Sequence, residues 1–105
     1  MGTLFYGDDQ TPLAFDDRVL AHLRAVISVK LRRGESFTVS WTHAAEQAPG
    51  HSTIWVAPSI PLRFVFDEPD AIALNPAWTR RLAESANSSG GIQVIDEPLD
   101  PPQPH

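Results

Sequence analysis

The segment SFTVSWTHAAEQAPGHSTIWVAPSIPLRFVFD, residues Ser36–Asp67, decides the fold because it holds three strand patterns in succession. In the first pattern, apolar residues from Phe37 to Trp41 alternate with hydroxylated ones, which is typical of a strand with one buried face. A polar loop with a proline–glycine pair precedes the second pattern, and two prolines precede the third. We therefore predict consecutive antiparallel strands at residues 37–41, 52–57 and 62–67.

The expected position of Trp55 follows from the way the second and third strands would pair. The connector 58–61 is short, so a symmetric antiparallel pair places Trp55 opposite Val65, on the face away from Ile54 and Phe64. Trp55 is then either covered by the second helix or exposed. An exposed Trp55 beside Val65 would mark a contact surface, because exposed aromatic residues are typical anchors of protein interfaces.

The segment before these strands, from Asp17 to Arg33, predicts one helix that ends at Gly34. Its apolar residues recur at helical spacing and form one face: Val19, Leu20, Leu23, Val26, Ile27 and Leu31. Lys30 falls inside this apolar sector. We therefore expect its aliphatic stem to be covered and its ammonium group to reach solvent.

The remaining patterns complete an α+β architecture. Residues 3–6 and 12–15 predict a hairpin across the turn at 7–10. The pair Asn75-Pro76 predicts the start of a second helix, and residues 92–95 predict a last strand. The expected fold is a small, mostly antiparallel sheet of five or six strands with two helices, in the order β-β-α-β-β-β-α-β.

Composition indicates one globular domain with a short polar tail. The chain has 105 residues, 42% of them hydrophobic, which suits a single domain. We expect residues 1–96 to fold compactly and the acidic, proline-rich residues 97–105 to be disordered. The chain contains no cysteine, no secretory signal and no apolar stretch long enough to span a bilayer. These features favour a cytoplasmic protein that does not bind membranes.

The net charge of −5 is not that of a strongly basic nucleic-acid binder, but the first helix is locally cationic. Arg18, Arg32 and Arg33 lie off its apolar face and are candidate contacts to phosphate groups. The alternative is a solvated helix face whose last-turn cations complement the helix dipole. Exposed, clustered arginines would favour nucleic acid, whereas arginines paired with Asp or Glu would favour the structural role.

The candidate catalytic and metal-binding residues do not form a recognised motif. His43, Glu46 and His51 share one loop, but their spacing is not a standard metal-ligand pattern. The serines that could act as a nucleophile with His43 as the base are Ser40, Ser52 and Ser59. No Gly-x-Ser-x-Gly turn is present. We therefore predict no catalytic residue, metal or cofactor, although a pocket in which His43 and His51 converge would favour an enzyme.

Several runs of sequence carry a resemblance to a known family. They are MGTLFYG (1–7), LAHL (20–23), KLRRGESF (30–37), SWTH (40–43), STIWVAPSIPLRFVF (52–66) and ANSSGG (86–91). Together they resemble a family of short, uncharacterised actinobacterial proteins, over residues 1–97. Members of that family are often labelled ATP-dependent DNA ligase, so the resemblance implies an association with DNA metabolism.

The sequence lacks the residues that ligase chemistry requires. Ligases of that kind attach AMP to the lysine of a Lys-x-Asp-Gly motif, whereas Lys30, the sole lysine here, is followed by Leu31-Arg32-Arg33. We therefore predict no ligase activity. The leading prediction is a non-catalytic interaction module of unknown protein partner, a possible homodimer that uses Trp55 and Val65. The alternative is a small accessory DNA-binding protein of DNA ligation or repair that uses the basic face of the first helix.

Overall fold

The computed structural model describes residues 1–43, 47–89 and 91–98, and within them it confirms the predicted α+β order. The elements are β1 (Gly2–Tyr6), β2 (Thr11–Phe15), α1 (Asp17–Arg32), β3 (Phe37–Thr42), β4 (His51–Val56), β5 (Leu62–Val65), α2 (Pro76–Ser89) and β6 (Gly91–Gln93). The strands form two three-stranded sheets instead of the single sheet that the sequence predicts. Sheet 1 has the order β2-β1-β5, and sheet 2 has the order β4-β3-β6, in which only the β3–β6 pair is parallel.

The predicted pairing of Trp55 with Val65 is wrong. Trp55 on β4 lies opposite Thr38 of β3, and Val65 on β5 lies opposite Thr3 of β1. In the connector 58–61 both prolines lack an N–H, and the Pro61 carbonyl accepts the N–H of Gly7, the residue that follows β1. The connector carries the chain from sheet 2 to sheet 1, where β5 pairs with β1 instead of turning back on β4.

The alternation predicted in the first strand pattern is confirmed in β3. Phe37 and Val39 are buried, whereas Thr38 and Ser40 on the other face are partly exposed. The ring of Trp41 meets that of Phe15 edge-on at a centroid distance of 5.1 Å, which joins the end of sheet 2 to sheet 1. One core therefore spans both sheets and both helices, and its largest fully buried residues include Leu4, Leu20, Leu23, Ile27, Leu82 and Ile92.

The helix α1 follows from its caps and its apolar face. The Asp16 side chain accepts the N–H of Arg18 at the start, and Gly34 takes a positive φ of 74° just after the end, where a side chain would be strained. The helix ends one residue before the predicted Arg33. The predicted apolar face is buried at Leu20, Leu23, Val26 and Ile27 and half-buried at Val19 and Leu31.

The contact between α1 and α2 buries a charged residue that we expected to reach solvent. Lys30 is only 5% exposed, so the predicted outward course of its side chain is wrong. Its Nζ donates to Asn87 Oδ1 at 3.0 Å and lies 3.4 Å from Glu35 Oε1. These acceptors replace water, because an ammonium group can be buried when it is paired and hydrogen-bonded.

The contacts of the folded domain extend to Glu97, which we had placed in the tail. Arg18 donates to its two carboxylate oxygens at 3.0 and 2.7 Å, and Asn75 Nδ2 donates to it at 3.0 Å. Trp78 Nε1 donates to the carbonyl of Ile95 at 3.0 Å just before it. The boundary predicted between residues 96 and 97 therefore falls inside a bonded segment. The disorder predicted for the tail stays a prediction, because residues 99–105 lie outside the described residues.

Candidate contact surface

The outer face of the β3–β4 pair in sheet 2 is rich in hydroxyl groups, which four of its six residues carry. Residues that lie opposite each other in an antiparallel pair share a face, and three such pairs of β3 and β4 lie on the outer one. They are Thr38 with Trp55, Ser40 with Thr53, and Thr42 with His51. The Oγ atoms of the middle pair lie 2.8 Å apart, so a hydroxyl–hydroxyl bond links the strands at this face. We call these six residues the outer face.

Trp55 is the large apolar residue of the outer face. It is 52% exposed, and its cross-strand neighbour is the small Thr38. Among the described residues the other large hydrophobic side chains that are exposed are aliphatic and lie elsewhere: Met1, Val29, Leu74 and Ile95. The structure therefore confirms that Trp55 faces away from the core, although Val65, the second residue of the predicted interface, belongs to the other sheet.

The strand β4 lies at the edge of sheet 2, and its hydrogen-bond pattern shows which backbone groups face outward. The N–H of His43 donates to Gly50 O at 2.9 Å, so this pair is a hydrogen-bonded one. Hydrogen-bonded and non-hydrogen-bonded pairs alternate along an antiparallel ladder. The N–H and C=O groups of His51, Thr53 and Trp55 therefore point away from β3, toward the free edge.

A side chain from sheet 1 agrees with this assignment. The Tyr6 hydroxyl, at the end of β1, donates a hydrogen bond to the backbone carbonyl of Trp55. That carbonyl is accessible to Tyr6 because it points out of sheet 2. Tyr6 thus covers the Trp55 end of the β4 edge, and the backbone groups of His51 and Thr53 make no hydrogen bond with the described part of sheet 1.

The structure brings His43 and Ser52 together but keeps His43 apart from His51. His43 Nδ1 lies 3.0 Å from the carbonyl of Ala48, which can only accept, so Nδ1 carries the hydrogen. Nε2 then accepts from the Ser52 hydroxyl at 2.7 Å. Ser52 lies on the inner face of β4 and His51 on the outer face, so the two histidines do not converge.

This serine–histidine contact closes a loop. His43 and Ala48 both lie in the connection between β3 and β4, and the backbone bond from His43 to Gly50 joins the two sides of that connection. Glu46, the third residue of the predicted cluster, lies outside the described residues. Within the described ranges no group of three or more His, Cys, Asp or Glu residues could hold a metal ion.

The three candidate phosphate-binding arginines are not clustered. Arg18 lies in the first turn of α1 and Arg32 and Arg33 at its end, about 21 Å away at 1.5 Å per residue. Arg18 is bonded to Glu97, and its guanidinium, with help from the Asn75 amide, lowers the pKa of that carboxyl to about 2. Arg33 lies 3.9 Å from Glu35, whereas Arg32 is exposed and makes no ion pair with the described residues.

A cleft of about 840 Å³ opens between the two sheets, and sequence reasoning missed it. Its walls include the aromatic pair Phe15 and Trp41, together with Val19, Ile95 and Asp96. The volume is within the range of small-molecule sites. No local signal could have indicated it, because the cleft exists only where the end of β3 meets sheet 1 and the segment after β6. His43 lines the cleft but Ser52 does not, so the histidine of the serine–histidine contact borders the cleft without the serine.

These features define a small two-sheet α+β domain with an exposed aromatic residue on a hydroxylated strand. The chain belongs to the family described as Domain of unknown function (DUF7882), which it matches over residues 1–97. The match ends at Glu97, the residue bonded to Arg18. No curated protein and no solved structure matches the chain. Neither α1 nor α2 is long and apolar enough to cross a membrane.

Proposed function

We propose that this protein is a non-catalytic cytoplasmic interaction module that binds a protein partner through the outer face of sheet 2. The observation that supports the proposal is the exposure of Trp55 on a regular strand at the sheet edge. Tryptophan is enriched among the residues that contribute most to interface affinity. A homodimer is one form that such binding can take.

The exposed half of Trp55 represents a substantial driving force for association. A tryptophan buries about 150–250 Å² when it is covered, so half of it corresponds to roughly 100 Å². At about 25 cal/mol per Å² this is worth roughly 2–3 kcal/mol. The hydroxyl groups around it are suited to a polar rim, because they can exchange water for hydrogen bonds to a partner.

The absence of catalysis is part of the proposal and rests on two arrangements. The Ser52 hydroxyl on β4 is hydrogen-bonded to His43, whose other ring nitrogen is bonded to the Ala48 carbonyl. The sole lysine, Lys30, is buried between the helices and hydrogen-bonded to Asn87. Neither group is displayed to a substrate in the way that nucleophilic catalysis requires.

The nucleic-acid alternative stays a prediction. It needs Arg18, Arg32 and Arg33 to be free and clustered, and the pairing of Arg18 with Glu97 favours the structural role of that residue. Arg33 also has a carboxylate neighbour in Glu35. The accessory role in DNA ligation or repair therefore rests on the resemblance and on the exposed Arg32.

The proposal is tested by comparing Trp55→Ala with the wild-type chain. Immobilised protein is used to capture partners from a native lysate, and self-association is followed by light scattering. Val29→Ala is the matched control, because it also shortens an exposed apolar side chain, on α1. We expect Trp55→Ala, but not Val29→Ala, to weaken binding while both variants melt like the wild type. Binding that is unchanged by Trp55→Ala, or equally reduced by both, would contradict the proposal.

A further inference from the structure

The four edges of the two sheets differ in their protection against pairing with another strand. Natural sheets protect open edges with proline, with charged residues or by keeping the edge strand short. The edge strand β2 contains Pro12, β5 has four residues and includes the exposed Arg63, and β6 has only three residues. The strand β4 has six residues, His-Ser-Thr-Ile-Trp-Val, with no proline and no Asp, Glu, Lys or Arg.

The unprotected part of the β4 edge is short and well defined. The outward-pointing backbone groups belong to His51, Thr53 and Trp55, as the pairing of His43 with Gly50 requires. The Tyr6 hydroxyl already occupies the Trp55 carbonyl. The backbone N–H and C=O groups of both His51 and Thr53 are left to pair with an incoming strand.

We propose that the partner strand is β4 of a second copy, paired antiparallel about a two-fold axis at Ser52. The proposal rests on the contact surface proposed above and names its partner. In this register His51 lies opposite Thr53 of the second copy, and by symmetry Thr53 lies opposite His51 of the second copy. Each of these two pairs exchanges two N–H···O=C bonds. Four backbone hydrogen bonds form in this way. They join sheet 2 of one copy to sheet 2 of the other as a single sheet of six strands. The arrangement is self-complementary, as a two-fold interface must be.

The contact between Tyr6 and Trp55 selects this register among those that a two-fold axis allows. With the axis at Ser52, no residue of the second copy's β4 lies opposite Trp55, because β4 begins at His51. No strand N–H of the second copy therefore meets the carbonyl that Tyr6 already holds. With the axis at Thr53 instead, the N–H of His51 would have to compete with Tyr6 for that carbonyl.

The absence of cysteine from the chain allows a direct test by crosslinking. His51→Cys and Thr53→Cys are made separately, because both side chains lie on the outer face and are exposed. In a hydrogen-bonded pair the two Cα atoms lie about 5.5 Å apart, which is within the range that a disulfide can bridge. An equimolar mixture of the two variants, oxidised mildly, should yield a crosslinked dimer, whereas each variant alone should yield little.

The control is Thr38→Cys mixed with His51→Cys. Thr38 lies on the same outer face but on the central strand β3, so it would be about two strand spacings, roughly 10 Å, from the second copy. No crosslink is expected in this mixture. A disulfide in the control at the level of the His51–Thr53 mixture would show random collision and would overturn the proposal. So would Thr53→Cys crosslinking to itself in preference, because it would place the axis at Thr53.

Light scattering of the wild-type chain separates this inference from the proposed function. We expect a dimer at tens of micromolar, and a monomer throughout that range would overturn the β4 pairing. A monomer that still captures another protein in a Trp55-dependent manner would leave the proposed function standing. A dimer with the expected crosslink but no dependence on Trp55 would instead support the pairing and contradict the proposed role of Trp55.

Discussion

His22 Nε2 accepts the backbone N–H of Asn75 at 2.8 Å, and this bond joins α1 to the start of α2. The other ring nitrogen, Nδ1, donates to the carbonyl of Arg18 at 2.6 Å, which fixes the neutral tautomer with its hydrogen on Nδ1. The imidazole is fully buried and lies 4.3 Å from the ring of Trp78. Both nitrogens are therefore satisfied inside the core.

His22→Phe should destabilise the domain. The substitution keeps an aromatic ring against Trp78 but removes the acceptor for the Asn75 N–H. A buried donor left without a partner costs about 1–3 kcal/mol. Since about 1 kcal/mol shifts the melting temperature of a domain this size by roughly 4–8 °C, thermal unfolding followed by circular dichroism should show a fall of at least several degrees. Val29→Ala, on the exposed side of the same helix, should change little, and a similar fall there would contradict the assignment.

Glu97→Gln should lower stability at neutral pH, and the difference from the wild type should vanish in acid. Hydrogen bonds from Arg18 and then Asn75 lower the pKa of Glu97 from 4.5 to about 2 in the folded chain. A lowered folded-state pKa means that its contribution is present above the unfolded value and is lost as the pH falls through the folded one. The melting temperatures of the two proteins, measured at pH 7, 4 and 2, should converge as the pH falls from about 4.5 to about 2. A constant difference across that window would show that Glu97 is not held as described.

The parts of the fold that sequence reasoning predicted are those with local causes. Helix α1 has a capping aspartate, an apolar stripe and a glycine at its end, and each signal lies within or next to the segment it defines. The alternation in β3 is likewise local, because successive side chains of a strand must face opposite ways. Such signals predict which segments are helix or strand without information on their neighbours.

The parts that were mispredicted depend on contacts distant in sequence. Whether β5 pairs with β4 or with β1 is decided by competition between two edges, and the paired residues of β1 and β5 are 56 to 62 positions apart in sequence. The burial of Lys30 depends on Asn87 of α2, and the position of Glu97 depends on Arg18. For the contact surface, the outward direction of the Trp55 side chain was predictable, because side chains alternate between the two faces of a strand. The residues that lie opposite Trp55 on the neighbouring strand were not predictable.

Leu23→Ala should be severely destabilising. Leu23 is fully buried on α1, so the substitution leaves a cavity that costs about 2–5 kcal/mol. A domain of this kind has roughly 5–15 kcal/mol of stability in total. Urea unfolding should show a marked fall in the midpoint, with Val29→Ala again as the exposed control. An unchanged midpoint would mean that the face of α1 around Leu23 is not in the core.

The chain should not form a covalent adduct with AMP. Lys30 is 5% exposed, its Nζ is bonded to Asn87 and lies close to Glu35, and no Lys-x-Asp-Gly motif surrounds it. A nucleophile in that position is neither accessible to ATP nor placed by the residues that ligase chemistry uses. Incubation with radiolabelled ATP and a divalent cation, followed by denaturing electrophoresis, should leave the protein unlabelled while an active ATP-dependent ligase is labelled in parallel. Labelling that is lost in a Lys30→Met variant would identify a lysine-linked adduct and would contradict the non-catalytic assignment.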